Sequence, residues 1–263
     1  MLSETRLRQT LRTKILGQGL IELYDRIGST NARARELAAA GAPEGALVLA
    51  NQQTAGHGRF GRTWHSPAGL NLYFSLVLRP ELPAPALSWL PLAAGLAAAE
   101  TIKDVTGLSP ELKWPNDLLL KGKKIAGILV EGELGPGGIE FAVLGLGLNV
   151  NTKSADFPAG LAGIAGSLRM ITGRLLDRTV LLASLLNHLE TEYRVLGDGR
   201  TGDLIKRYRE VCRTLGAKVR FRHGRETRQG LAIGVSEAGE LEVRLEGTED
   251  LVRLNAGEVT MVK

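Results

Sequence analysis

Three short segments of this 263-residue chain hold side chains whose types and spacing could act on a small anionic ligand. The first is Gly56–His57–Gly58–Arg59–Phe60–Gly61–Arg62–Thr63–Trp64. Glycines at alternate or near-alternate positions let the backbone approach a ligand closely and turn N–H groups toward an anion. Arg59 and Arg62 add fork-shaped donors that match carboxylate and phosphate, and Trp64 can provide an apolar wall. The segment has no GK[ST] ending of a P-loop and lacks the spacing of a dinucleotide fingerprint. Taken alone, a surface loop with scattered arginines accounts for it equally well.

The second segment is Lys113–Trp114–Pro115–Asn116–Asp117, continued by Lys124–Ile125–Ala126–Gly127–Ile128–Leu129–Val130–Glu131. Pro115 restricts Trp114 to extended backbone, and Asn116 with Asp117 offers oxygens that could hold Mg²⁺ or a ribose. Lys124 opens a strand, so the sheet sets its direction, and a lysine so held can neutralise charge building on an acyl phosphate. Lys121 and Lys123 read equally well as a solvated hairpin tip. The third segment, Leu146–Gly147–Leu148–Asn149–Val150–Asn151, is weak alone, because glycine at a strand end is commonly just a turn.

These segments need a frame to position them. Ser29–Thr30–Asn31 before ARARELAAA and Gly41 predicts an N-capped helix with a glycine stop. ALVLA (46–50) predicts a short buried strand, and LNLYFSLVL (70–78), with Leu70, Leu72, Phe74, Leu76 and Leu78 in alternation, a strand with one apolar face. An Ala/Leu-rich helix follows over about 86–105, ending near Gly107. Residues 112–134 predict a strand, a turn at Lys121–Gly122 and a second strand, and a further strand follows the turn at 135–138. Asp177 caps a helix with leucines at 181, 182, 185 and 189, and another helix covers roughly 202–214. Trp89 and Phe221 read as core. The result is an α+β class, a mixed, antiparallel-leaning sheet with flanking helices. After Gly216 the texture changes to short alternating strands, a small SH3-like β-barrel. The boundaries expected are a basic N-terminal segment 1–19, a catalytic unit 20–215 and the C-terminal unit 216–263.

Composition narrows the partners. The net charge is +5, with 44% hydrophobic and 23% charged residues, an ordinary globular balance. Residues 1–15 carry four basic side chains against one acidic, and the segments 53–64 and 113–124 are also basic. The C-terminal unit is balanced, eight basic against eight acidic residues. A charge excess confined to a tail and two short Gly-containing segments favours a compact polyanion such as a nucleotide over a long one. No apolar run approaches the ~20 residues that would span a bilayer, and the polar start MLSETRLRQTLRTK does not read as a secretory signal. Cys212 is the single cysteine, read as a small residue on a helix face, and no Cys/His spacing suggests zinc. The expected compartment is the cytoplasm.

In this order, STN (29–31), QQTAGHGRFGRTW (52–64), KWPND (113–117), KIAGILVE (124–131), GLGLNVN (145–151) and a small C-terminal barrel resemble the biotin–protein ligase family. That family is similar in catalytic fold to lipoate ligases and class II aminoacyl-tRNA synthetases, and the resemblance covers residues 20–263. It implies that ATP and biotin, assisted by Mg²⁺, give biotinyl-5′-AMP and pyrophosphate, and that biotin then passes to one lysine of a biotin carboxyl carrier domain of acetyl-CoA carboxylase or a related carboxylase. Carried over by motif, Ser29, Thr30, Asn31 and Gln53 would line a biotin pocket, with Gly127 and Ile128 against the ring system. His57, Gly58 and Arg59 would belong to a loop closing over biotin and the phosphates. Lys124 would reach the carboxylate and the α-phosphate, and with Arg59 would carry the chemistry. Arg62, Trp64, Asn116, Asp117 and Asn149 would face ATP, and Asp117 would organise the metal.

Two features depart from the best-known family pattern. His57 stands where the loop GRGRxGR has its first arginine, which puts retention of the adenylate in doubt. Only about twenty residues precede the catalytic motifs, so the short form without a winged-helix domain is expected, with no specific DNA binding. The sequence is compatible with a homodimer but contains no residue that proves one. Two other readings compete: a lipoate–protein ligase on the same fold, and a non-catalytic biotin-binding or nucleic-acid-binding protein.

Overall fold

A computed structural model of the chain describes residues 2–224, 226–255, 257 and 259–262. Its strands are β1 (Ile21–Tyr24), β2 (Leu47–Ala50), β3 (Leu72–Leu78), β4 (Glu111–Lys113), β5 (Asp117–Leu120), β6 (Lys123–Gly135), β7 (Gly138–Leu148), β8 (Lys218–His223), β9 (Glu226–Val235), β10 (Leu241–Leu245), β11 (Leu251–Leu254) and β12 (Val259–Met261). Its helices are α1 (Glu4–Thr10), α2 (Thr30–Ala39), α3 (Trp89–Thr106), α4 (Leu168–Thr172), α5 (Arg178–Gly197) and α6 (Thr201–Val211). A seven-stranded sheet runs β1-β2-β3-β7-β6-β5-β4, and a five-stranded sheet β11-β10-β9-β8-β12 follows at the C-terminus. Among the described residues β1 and β2 pair in parallel, and the other pairs of these strands are antiparallel. This is the α+β class with its smaller all-β appendage.

The caps explain the helix boundaries. Ser29 Oγ accepts from the Ala32 amide at the start of α2, Gly107 ends α3 in the left-handed region, and Asp177 accepts from the Thr179 and Val180 amides at the start of α5. α3 starts later than its composition suggests, at Trp89, because residues 84–88 form a 3₁₀ turn that enters it. Trp89 is half-buried and not a core residue: its indole N–H donates to the Glu237 carbonyl, tying α3 to the C-terminal sheet. Phe221 is buried. Cys212 is the C-cap of α6, and burial pushes its thiol pKa up.

Two strands depart from expectation. β3 is buried on both faces, not on one. Leu72, Phe74, Leu76 and Leu78 join the main core, while Val77 joins a second cluster with Val48, Val143, Ala34 and Ala38 under α2. The first strand of 112–134 breaks at Trp114–Pro115–Asn116 into β4 and β5, which fold back on each other with Glu111 opposite Leu119. Proline cannot donate to a ladder, so the chain turns there; the Trp114–Pro115 bond is cis.

The first nineteen residues are docked on the helical layer. α1 packs on α5 with Leu7 buried, and the buried Glu190 carboxylate accepts the amides of Lys14 (2.6 Å), Ile15 (2.8 Å) and Leu16 (2.9 Å). Among the described residues no helix is long and apolar enough to cross a membrane.

Candidate active site

A cavity of about 820 Å³ opens between the N-terminus of α2, the 53–65 loop, the β5–β6 hairpin, the end of β7, the 157–165 segment and β12. The residues to which the family resemblance gives a ligand-facing role all line it, whereas Lys121, Lys123 and Asn151 do not. Ser29, Thr30, Asn31 and Gln53 form one end, His57, Gly58, Arg59, Arg62 and Trp64 come from the loop, and Asn116, Asp117, Lys124, Gly127, Ile128 and Asn149 come from the sheet.

Register explains the shape of the floor. Gly147 pairs with Gly127 across β6–β7, and Gly145 pairs with Ser75 and Leu129. Successive odd positions share a sheet face, so Gly127, Gly145 and Gly147 leave a patch without side chains. Trp64 lies on it: a Cβ at Gly147 would meet its indole nitrogen at 2.3 Å, and a Cβ at Gly127 would meet its ring at 3.0 Å. Asn31 occupies the space over Gly145 in the same way. The Trp64 indole N–H is buried and has no hydrogen-bond partner among the described residues.

The charged centre sits at the β5–β6 hairpin. Lys124 Nζ lies 2.6 Å from Asp117 Oδ1 and 5.5 Å from the centre of the Trp64 ring. The backbone of Lys124 is clamped on both sides, its N–H donating to Ile164 O and its carbonyl accepting from the Gly166 amide. Arg59 donates to Asn116 Oδ1 at 3.3 Å, and its burial lowers the guanidinium pKa while the Asp117 charge opposes that shift. Arginine remains charged under such a shift, so Arg59 and Lys124 stand as cations beside the Asp117 carboxylate, and Lys113 and Arg62 line the same cavity. Asn116 is fixed in sense: its N–H₂ donates to the Ile128 carbonyl at 2.9 Å, which turns Oδ1 to the Arg59 side. Phe60, beside Arg59, is exposed with φ 58°.

At the other end a polar chain links the loop to the sheet. Gln53 Oε1 accepts from the Thr30 amide at 2.9 Å, and Gln53 Nε2 donates to Ser66 Oγ at 3.1 Å, whose hydroxyl donates to Trp64 O. Ser75, fully buried, contacts Thr30 Oγ1 at 2.8 Å and donates to Asn31 Oδ1 at 2.6 Å. The Asn31 amide then donates to Glu131 at 2.8 Å, and His57 Nε2 lies 4.0 Å from the same carboxylate. This end offers fixed donors and acceptors suited to a neutral polar head group; the other end suits an anion.

Sequence reasoning missed several participants. Ser75 and Gly145 lie inside recognisable segments but without a signal of their own role, since only strand register brings them to Asn31. Glu131 closes the KIAGILVE block and was passed over as part of a strand. Phe157, Ile164, Val259 and Met261 also line the cavity. The last two belong to the C-terminal sheet, so the appended unit supplies part of the wall. Ser29 doubles as the α2 cap. Among the described residues no group of three or more His, Cys, Asp or Glu is placed to hold a metal ion.

The model of the biotin/lipoate A/B protein ligase family matches residues 23–149. The chain is 35% identical over 260 residues to the bifunctional ligase/repressor BirA of Bacillus subtilis (strain 168), covering 99% of this chain and 79% of that protein. It is 33% identical over 265 residues to the biotin–[acetyl-CoA-carboxylase] ligase of Mycobacterium tuberculosis, covering 97% of this chain and 95% of that protein. Among solved structures it is similar to the biotin protein ligase from Aquifex aeolicus in complex with biotin and ATP, with a TM-score of 0.79, 28% identity, and coverage of 93% and 99% of the two chains. The fold and the cavity are those of a ligase domain. The chain belongs to the biotin/lipoate A/B protein ligase family.

Proposed function

We propose that the chain is an ATP-dependent biotin–protein ligase, and that this cavity holds biotin and the nucleotide side by side. The single observation that carries the reading is the convergence of Lys124, Arg59 and Asp117 at one end of a cavity whose other end is a hydrogen-bonded array of the neutral side chains Thr30, Asn31, Gln53 and Ser75. An activated acid needs both: a cationic end for carboxylate and phosphates, and a neutral end to hold the rest of the acid still.

In the first step a carboxylate oxygen of biotin attacks the α-phosphorus of ATP. The bond to the bridging oxygen breaks, and pyrophosphate leaves with the electron pair. Lys124 and Arg59 neutralise charge on the carboxylate and the phosphates, and the ion pair with Asp117 keeps Lys124 aimed before ligands arrive. In the second step the neutral amine of a carrier lysine attacks the acyl carbon, AMP leaves, and the amine proton is lost. Trp64 and the loop around Arg59 exclude water from the mixed anhydride between the two steps. Ser29, Thr30, Asn31 and Gln53 hold biotin, with Gly127 and Ile128 against its rings, while Arg62, Asn116 and Asn149 face the nucleotide.

Mg²⁺ fits the donor chemistry here. It takes one or two protein oxygens beside substrate phosphates, not a dedicated cage, and Asp117 and Asn116 Oδ1 are hard oxygen donors at the end that suits the phosphates. When bound, it supplies charge neutralisation of the triphosphate. The acceptor is the biotin carboxyl carrier domain of an acetyl-CoA carboxylase or related carboxylase, and the compartment is the cytoplasm, where that carrier works.

The test is pyrophosphate release from ATP–Mg²⁺ with biotin or lipoate, followed by transfer to a carrier domain. Biotin-dependent release and transfer are expected. Lipoate-dependent release would keep the chemistry and change the substrate; no release with either acid would reject the reading.

A further inference from the structure

Asn149 reaches the cavity with one polar atom, and a buried neighbour decides which atom that is. The Val150 amide donates to Asn71 Oδ1 at 2.9 Å, and the Thr152 hydroxyl donates to the same oxygen at 2.8 Å. A backbone N–H can only donate, so the branch of Asn71 that faces Val150 must be its oxygen. The other branch is then the amide N–H₂, and it donates to Asn149 Oδ1 at 3.4 Å. Asn71 is fully buried and cannot turn over without leaving a backbone N–H opposite its own donor. The Asn71 backbone carbonyl is held in turn by the buried Arg178, which donates to it at 2.9 Å and to Asn51 Oδ1 at 3.0 Å.

Asn149 has no freedom left to change that. Its amide donates to the Ile125 carbonyl at 2.8 Å, and its carbonyl accepts from the Leu168 amide at 3.0 Å. With both backbone groups and Oδ1 committed, Nδ2 is the atom without a partner among the described residues, on a side chain 4% exposed that lines the cavity.

We propose that Asn71 is a positioning residue for the nucleotide: it fixes Asn149 so that only an N–H donor faces the ligand, and Asn149 therefore reads a hydrogen-bond acceptor on ATP. The inference rests on the nucleotide-binding half of the function proposed above.

The experiment is titration calorimetry of the full chain with ATP–Mg²⁺ without biotin, so that no adenylate forms, and separately with biotin alone. Asn71→Asp is isosteric and still accepts from Val150 and Thr152, but its other branch becomes an acceptor. Asn149 then turns over to donate to it and presents oxygen to the ligand. The expected result is a weakening of ATP binding by roughly tenfold or more, with biotin affinity changed by less than about twofold. Asn149→Asp, which keeps an acceptor for Asn71 but loses the donor, is expected to match it. Asn71→Ser leaves a small cavity and frees the Asn149 amide to adopt either sense, so it is expected to weaken ATP less than Asn71→Asp does.

A role in packing alone predicts the reverse order, serine worse than aspartate, with ATP and biotin affected alike. That outcome, or ATP affinity unchanged in Asn71→Asp, overturns the proposal. Because the readout is ATP binding, wild-type chain that binds ATP but releases no pyrophosphate with biotin would reject the ligase reading and leave the Asn71 test decisive. Wild-type chain that binds no ATP would remove both.

Discussion

Asn31 and Gly145 exclude each other's side chains: a Cβ built on Gly145 would fall 1.8 Å from Asn31 Oδ1. The two residues lie on different elements, α2 and β7, and the missing side chain lets Asn31 come down onto the sheet to reach Ser75 and Glu131. Gly145 of the GLGLNVN block is therefore a steric requirement of the end of the cavity that Asn31 lines, not a turn residue.

Gly145→Ala should push Asn31 off both partners. The overpacking is expected to cost about 1–3 kcal/mol of stability, read as a lowered Tm. Biotin affinity should fall by roughly tenfold or more, because the freed polar groups no longer sit where the ligand needs them. Unchanged biotin affinity in calorimetry would show that Asn31 does not hold the acid.

Lys124→Ala should cut adenylate formation by about 10²–10³-fold, the range typical of removing one preorganised charge from a transition state. Its Nζ is partly exposed and its ion pair with Asp117 lies at the cavity wall, so the loss of stability should stay below about 1 kcal/mol. Single-turnover pyrophosphate release separates the two effects. Near-normal release in a folded variant would move the catalytic role to Arg59.

The fold class and the segments that line the cavity were legible in the sequence for the same reason: each feature is local. The Ser29 and Asp177 caps, the Gly107 stop and the KWPND and KIAGILVE blocks are each read within a few residues. What was not legible depends on register between distant strands. Ser75 looks like the polar side of a half-exposed strand, yet it is buried, because α2 covers that face and Thr30 and Asn31 satisfy its hydroxyl. Val259 and Met261 enter the cavity wall only because the C-terminal sheet docks through Trp89, Trp114 and Arg209 onto the larger unit. Nothing in an alternating strand pattern announces that.

Glu190 ties the N-terminal segment to α5, and the tie depends on pH. Burial alone would raise the carboxyl pKa, but the amides of Lys14, Leu16 and Ile15 and the charge of Arg194 outweigh it and hold the value below the ordinary 4.5. A carboxylate whose folded pKa is depressed stabilises the fold above its unfolded pKa, and that stability is lost as pH falls through the folded value. Glu190→Gln should therefore cost about 1–3 kcal/mol at pH 7. The gap to wild type should narrow as pH drops below 4.5. Denaturation midpoints across that range check both; a gap independent of pH would show that the amide contacts do not depend on the charge.

Arg59 joins the 53–65 loop to the sheet through Asn116, and its half-buried guanidinium lies over the Phe60 ring at 5.0 Å. Removing it leaves His57, whose Nε2 is 4.0 Å from Glu131, and Arg62 as the loop's other basic side chains at the cavity. An imidazole offers an anhydride fewer donors, in a less matched geometry, than an arginine fork does. Arg59→Gly is therefore expected to slow adenylation only moderately, by about tenfold, but to let biotinyl-5′-AMP escape before transfer. Escaped adenylate acylates whatever amine it meets, so the variant should label bystander lysines in a mixture of carrier and unrelated protein. Wild type should label the carrier alone. Labelling that stays on the carrier in the variant would mean that the loop does not retain the intermediate, and that Trp64 over the glycine floor is what holds it.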